Sequence, residues 1–147
     1  MNDKYFDTVF LVCEPVDKFP ESFAIITACH PMDHILSQAE NKKRNQELID
    51  ILKTRGLYAG SIIGSSQDLS HQEPSLIVHA SRAESLELGI QFEQRAIFWV
   101  SNDLLEILEC SSGNRHPVGS FRKRIKEIEP QELPDQQCNC TCNRRHV

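Results

Sequence analysis

The sequence predicts an α+β domain: a mixed, mainly antiparallel sheet of five to six strands with two principal helices, in the order ββαββαββ. Three observations carry this expectation. Short β-branched and aromatic runs come in pairs, and successive pairs are separated by one segment with helical spacing. Both helical segments open on a Ser-x-x-Glu pattern, the spacing by which a hydroxyl and a carboxylate satisfy the free amides of a first turn. The length, 147 residues with 39% hydrophobic and 25% charged side chains, suits one packed domain. Paired strands divided by single helices place the helices on one face of the sheet.

Thr8 to Cys13 is β-branched and aromatic and stops at Glu14-Pro15, which predicts a first strand followed by a polar loop to Ser22. Phe23 to Ala28 is continuously apolar, as a central strand covered on both faces requires. Ser37 and Glu40 then begin a helix, starting at Ser37 or nearer Asn41. Leu48, Ile51 and Leu52 supply its apolar stripe, and Gly56 stands where a left-handed terminal residue is needed. Tyr58 to Gly64 reads as a strand, Ser65 to Pro74 as a polar loop, and Ser75 to Ala80 as another strand. Ser81 and Glu84 cap a second helix ending near Phe92, with Ala83, Leu86 and Ile90 as its expected buried stripe. Ala96 to Val100 is the strongest strand signal, and Ser101-Asn102-Asp103 turns it into a partner strand over Leu104 to Cys110. Ser111 to Pro117 breaks the pattern, and Val118 to Ile128 reads as a last edge strand or a frayed helix. The domain is therefore placed at 1–128. Residues 129–147, poor in apolar residues, are read as a flexible tail containing cysteines.

Sixteen basic against twenty-one acidic side chains give a net charge of -5, which argues against a domain that coats nucleic acid by bulk electrostatics. The apolar runs fall far short of the ~20 residues that span a bilayer, and the N-terminal stretch lacks the pattern of a signal peptide. No membrane association is expected, and reduced thiols in a cytoplasm are the default.

Five constellations could carry chemistry. Gly64 to Pro74 packs a glycine, three hydroxyls, two carboxylates and an imidazole into one loop, where Ser65 and Asp68 could hold a ligand and Glu73 could orient the loop or act as a base. The plainer reading is turn chemistry. Asn41, Arg44 and Asn45 share a face near the start of the long helix, where amide and guanidinium donors suit an anion; the plainer reading is a solvated surface. Cys29-His30-Pro31-Met32-Asp33-His34 gathers a thiol, two imidazoles and a carboxylate at spacings specific for neither a nucleophile nor a metal, so a buried thiol is the simpler expectation. Gln94, just before a strand, could orient a ligand or tie a helix end to a loop. Cys138, Cys140 and Cys142 with His146 are weak metal candidates, since alternating thiols are a poor tetrahedral pattern.

Taken in order, Ile26 to Pro31, Asn41 with Arg44-Asn45, Gly64 to Asp68 with Glu73-Pro74-Ser75, and Phe92 to Val100 resemble the bacterial family known as domain of unknown function 3293 (DUF3293), over roughly Tyr5 to Leu108. The resemblance implies a cytosolic α+β domain and transfers no mechanism. Where that family tends to show an aromatic residue and an asparagine before the proline, this chain has Cys29 and His30, so the likeness gives that pair no role.

The residues themselves lead to one expectation about function. Asn41, Arg44, Asn45, Ser65, Asp68, Glu73 and Gln94 should converge on a polar cleft that binds an anionic small molecule, such as a nucleotide or phosphorylated metabolite. Two alternatives stand beside it: a non-catalytic protein-interaction module using the basic segment Arg122 to Lys126, and a metal-handling protein acting through the tail thiols. The sequence assigns no reaction and no cofactor.

Overall fold

The computed structural model describes residues 3–12 and 18–128. In chain order these form strands β1 (Val9–Val12) and β2 (Ser22–Ile26), helix α1 (Gln38–Arg55), strands β3 (Tyr58–Ser65) and β4 (Gln72–Val78), helix α2 (Arg82–Gln91), and strands β5 (Ala96–Ser101), β6 (Leu104–Glu109), β7 (Arg115–Ser120) and β8 (Ile125–Glu127). The α+β class and the two helices agree with the sequence. The strand count does not: ββαββαββ is followed by two further strands, giving a sheet of eight rather than five to six. Arg115 to Pro117, placed by sequence in a break, opens β7, whose Pro117 and Gly119 hide its strand character.

The sheet order is β7-β6-β5-β2-β4-β3-β1-β8, antiparallel throughout except for the parallel pair β1–β8. This order forces curvature. Laid flat, eight strands would separate β7 from β8 by roughly 34 Å at the usual strand spacing. The five Cα steps from Ser120 to Ile125 reach at most ~18 Å. The sheet therefore curls until its edges approach. Arg124 laces them, donating from Nη1 to the carbonyls of Phe6 at 2.6 Å and Thr8 at 3.1 Å, and from Nη2 to that of Val118 at 3.4 Å.

Period-two alternation divides the core between the faces of the sheet. Ala24, Ile26, Leu76, Val78, Ile97 and Trp99 pack against Leu48, Ile49 and Leu52 of α1 and Leu88 of α2, so both helices cover one face. Phe10, Phe23, Ile25, Ile77, Val100 and Phe121 fill the other, concave face. There the Phe10 ring meets Phe98 edge-on at 5.1 Å, and Phe121 packs on Phe10 and Phe23 at 5.4 and 5.5 Å.

The helix ends follow the sequence closely. Ser37 and Glu40 form the reciprocal capping box of α1, and Gly56 ends it at φ 72°. Ser81 caps α2 by accepting from the Glu84 amide. The buried stripe of α2 differs from expectation: Ser85, Leu88 and Gly89 face inward, Ala83 and Ile90 are exposed and Leu86 is only partly buried. Close approach explains the rotation. A Cβ at Gly89 would lie 2.7 Å from Cys110 Sγ and 2.9 Å from Ile97 Cγ2, so only glycine lets the helix sit this near the sheet.

Candidate functional site

β2 and β4 stay paired only as far as Ile26 and Leu76. Beyond that point the chain from Thr27 leaves the sheet while still buried, and its peptide groups need partners that no strand supplies. Side chains provide them. The Asn45 oxygen accepts from the Ala28 amide at 2.8 Å, and its nitrogen donates to the Pro74 carbonyl at 2.9 Å. Arg44 Nε donates to the Ala28 carbonyl at 2.7 Å and Nη2 to that of Phe92 at 2.6 Å. Gln94 donates to the carbonyls of Cys29 at 3.0 Å and Phe92 at 3.1 Å, and the His30 amide donates to Asn41 Oδ1 at 2.9 Å. Thr27 donates its hydroxyl to Pro74 O at 2.8 Å. These bonds bind one strap of chain, residues 27–36, to α1 and to the end of α2.

The strap continues through an unusual backbone. His30, Met32 and Asp33 have φ of 48°, 48° and 64°, a region that costs non-glycine residues about 1 kcal/mol or more each. Surrounding contacts hold them there: the Met32 amide donates to Glu93 O at 2.7 Å, and Arg95 Nε meets Asp33 Oδ2 at 2.7 Å.

Opposite the strap, the β3–β4 connection is fixed by its own side chains. Asp68 Oδ1 accepts from the Ser70 hydroxyl at 2.6 Å, the Ser66 hydroxyl at 2.8 Å and the Ser70 amide at 3.0 Å, which holds the carboxyl down at about 2. Gln72 to Pro74, assigned to the loop by sequence, belong to β4, with Glu73 opposite Gly64 and Pro74 opposite Ile63.

Between strap and loop lies a cleft of about 990 Å³. Its polar side includes Ser65, Ser66, Asp68, His71, Glu73 and Gln94. Tyr5, Ile25 and Phe98 contribute an apolar wall in which Ile25 and Phe98 are cross-strand partners and the Tyr5 ring lies 6.1 Å from Phe98. Burial, with the carboxylates of Asp33 and Glu73, raises the Tyr5 phenol above its usual range. Burial also pushes the Cys29 thiol up to about 11, so this thiol is protonated at neutral pH and is no ready nucleophile.

Four of the seven residues singled out by sequence, Ser65, Asp68, Glu73 and Gln94, line this cleft. Asn41, Arg44 and Asn45 do not; they stand behind the strap and bind its backbone. Arg44 is the consequential difference, because its guanidinium is engaged by two carbonyls and lies 3.6 Å from Glu93. Sequence reasoning missed Tyr5 and Asp7, which a 3₁₀ turn at Asp3–Asp7 carries into the lining. The aromatic pair Tyr5-Phe6 ahead of the first strand was the available signal. Cys138, Cys140, Cys142 and His146 lie outside the described residues. Among the described residues no group of three or more His, Cys, Asp or Glu side chains is arranged to hold a metal, and no helix is long and apolar enough to cross a membrane.

Fold and site together define an α+β domain that wraps a curled mixed sheet and opens a preformed polar cleft at one end of β2–β4. Residues 26–97 match the family model described as Protein of unknown function (DUF3293), and the chain carries a DUF3293 region there, as its motifs indicated. The match is narrower than Tyr5 to Leu108. It takes in both helices, the strap, the β3–β4 hairpin and every cleft residue except Tyr5, Asp7, Thr8, Ile25 and Phe98. No curated protein and no solved structure matches the chain.

Proposed function

We propose that the domain, over residues 1–128, binds a small polar molecule in the cleft between the strap and the β3–β4 loop. One observation carries this: a cleft of about 990 Å³, large enough for a metabolite, has both polar walls fixed by side-chain hydrogen bonds to the backbone before any ligand arrives. Ser65, Asp68, Glu73 and Gln94 are the contact residues of this reading. Asn41, Arg44 and Asn45 are its positioning residues. Glu73 is the side chain the ligand's polar group meets, because it projects from the strand end where the two walls come together.

The anionic ligand expected from sequence depended on Arg44, whose donors face the protein's own carbonyls. A nucleotide or phosphorylated metabolite loses its main attraction with it. A bacterial cytoplasm is the assumed setting, in which Cys29 and Cys110 stay reduced.

The interaction-module alternative draws support from exposed Met32 and Ile35 on the strap, 41% and 84% accessible, of which Ile35 also lines the cleft. The two readings separate by experiment. A thermal-shift screen of metabolites should yield a compound that, at a hundredfold excess over its Kd, raises the melting midpoint by roughly 5–10 °C. Folded Glu73→Gln protein should lose most of that shift. A compound that stabilises both proteins equally would remove Glu73 from the site.

A further inference from the structure

The concave core runs out of large side chains before its strands end. Residues two apart share a face of a strand. Ile62 on β3 and Ile77 on β4 fill the concave core, and the next positions on that face toward the β3–β4 loop are Gly64 and Ser75, both of which line the cleft. Gly64 also stands directly opposite Glu73.

A glycine inside a strand costs stability relative to alanine, so its presence needs a reason. Of the six glycines in the chain, Gly56, Gly60, Gly113 and Gly119 sit at positive φ, and Gly89 lies where a Cβ would collide with Cys110 and Ile97. Gly64 has neither reason. Its φ lies outside the left-handed range, its pairing with Phe10 and Glu73 is in regular register, and a Cβ there would meet nothing nearer than 3.7 Å. The atoms such a Cβ would approach include Thr8 Cγ2 and Ser75 Oγ, both on residues of the cleft lining, so the missing side chain is missing from the cleft. A strand glycine without a bulge or crowding marks a place where a ligand comes close to the backbone.

Gln94 gives an independent sign of a ligand. It lines the cleft and is only 6% exposed, and its Nε2 is spent on the carbonyls of Cys29 and Phe92, which fixes the orientation of the amide. No described residue donates to its Oε1, and that oxygen is not sealed inside the protein. A buried amide held in this way offers an acceptor at a fixed point.

We infer that Gly64 is a specificity-determining residue of the cleft: the body of the bound molecule fills the volume that Gly64 leaves empty, packed on the bare β3 backbone beside Thr8 and Ser75, and an N–H or O–H of the same molecule meets Gln94 Oε1. This rests on the cleft reading and names the residue that decides which molecules fit. Any side chain at position 64 takes the place of the ligand.

The test uses the full chain with Gly64→Ala and Gly64→Val. With nothing added, Gly64→Ala should keep or raise the urea midpoint, by up to about 0.5 M. A fall of about 0.3 M or more would show that the glycine serves the strand itself, and the assignment would be lost. Binding is then read as the thermal shift produced by the common amino acids, ribonucleosides and monosaccharides, each at about 10 mM. A compound that stabilises the wild type should bind Gly64→Ala about tenfold more weakly and Gly64→Val not at all. Equal shifts in all three proteins that are lost in Glu73→Gln would remove Gly64 and leave the cleft reading standing. If no compound shifts the wild type, or if the shifts survive in Glu73→Gln as well as in the Gly64 variants, both fall.

Discussion

Asn45, buried on α1, donates its side-chain amide to the carbonyl of Pro74 on β4 at 2.9 Å, joining helix and sheet at the place where β2 ceases to pair with β4. The same side chain accepts from Ala28, so neither end of the amide can be exchanged without loss. Asn45→Ala leaves the Ala28 amide without this partner and Pro74 O with the Thr27 hydroxyl and the weak Cys29 thiol contact. The expected destabilisation is about 2–4 kcal/mol, observed as a lower urea midpoint at unchanged m-value. A loss below about 0.5 kcal/mol would show that the strap does not depend on this bracket.

Arg44 gives a sharper test of positioning against ligand binding. Its fork spans Ala28 O and Phe92 O, two carbonyls on different segments, which one lysine ammonium cannot reach together. Arg44→Lys, which keeps the charge, should therefore cost about 1–2 kcal/mol in stability and should confer no change in affinity for inorganic phosphate. Full stability in the lysine variant, or a phosphate affinity that depends on Arg44, would return this residue to the role the sequence suggested.

The buried thiols set an alkaline limit on stability. Cys29 and Cys110 are both raised from about 9 to about 11 by burial, so the folded protein holds these protons more tightly than the unfolded chain. The associated stabilisation is complete below pH ~9 and is lost as the pH rises through ~11. Urea midpoints measured from pH 8 to 11 should fall, and Cys29→Ala should flatten part of that fall. At pH 7.5 iodoacetamide followed by peptide mapping should leave Cys29 and Cys110 unlabelled until denaturant is added. Rapid labelling of Cys29 in the native protein would contradict the burial on which this rests.

Much of the fold was legible because its signals are local. Ser37 with Glu40, Gly56, Ser81, and the turn Asn102-Asp103, both at positive φ, each act within a few residues of sequence. The continuous apolar and aromatic run from Ala96 to Val100 identified β5 for the same reason. What escaped is set by contacts between distant segments. β8 has three residues and exists because Phe10 to Val12 offers it a partner, and the inward face of α2 is chosen by Cys110 and Ile97 meeting Gly89. The site shows the same division. Sequence marked Asn41, Arg44, Asn45, Glu73 and Gln94 as polar residues beside apolar strands, but whether each faces the cleft or the strap's own backbone depends on where β2 stops pairing.

The central claim is that the hollow between the strap and the β3–β4 loop is where a small molecule binds, with Glu73 as its polar contact. A crystal structure with the first ligand found by thermal shift measures this directly. The account predicts the compound between residues 27–35 and 65–73, with a ligand nitrogen or hydroxyl within hydrogen-bond distance of the Glu73 carboxylate. A compound seated instead in the small hollow bounded by Phe19, Phe23 and Phe121 at the other end of the sheet would contradict it.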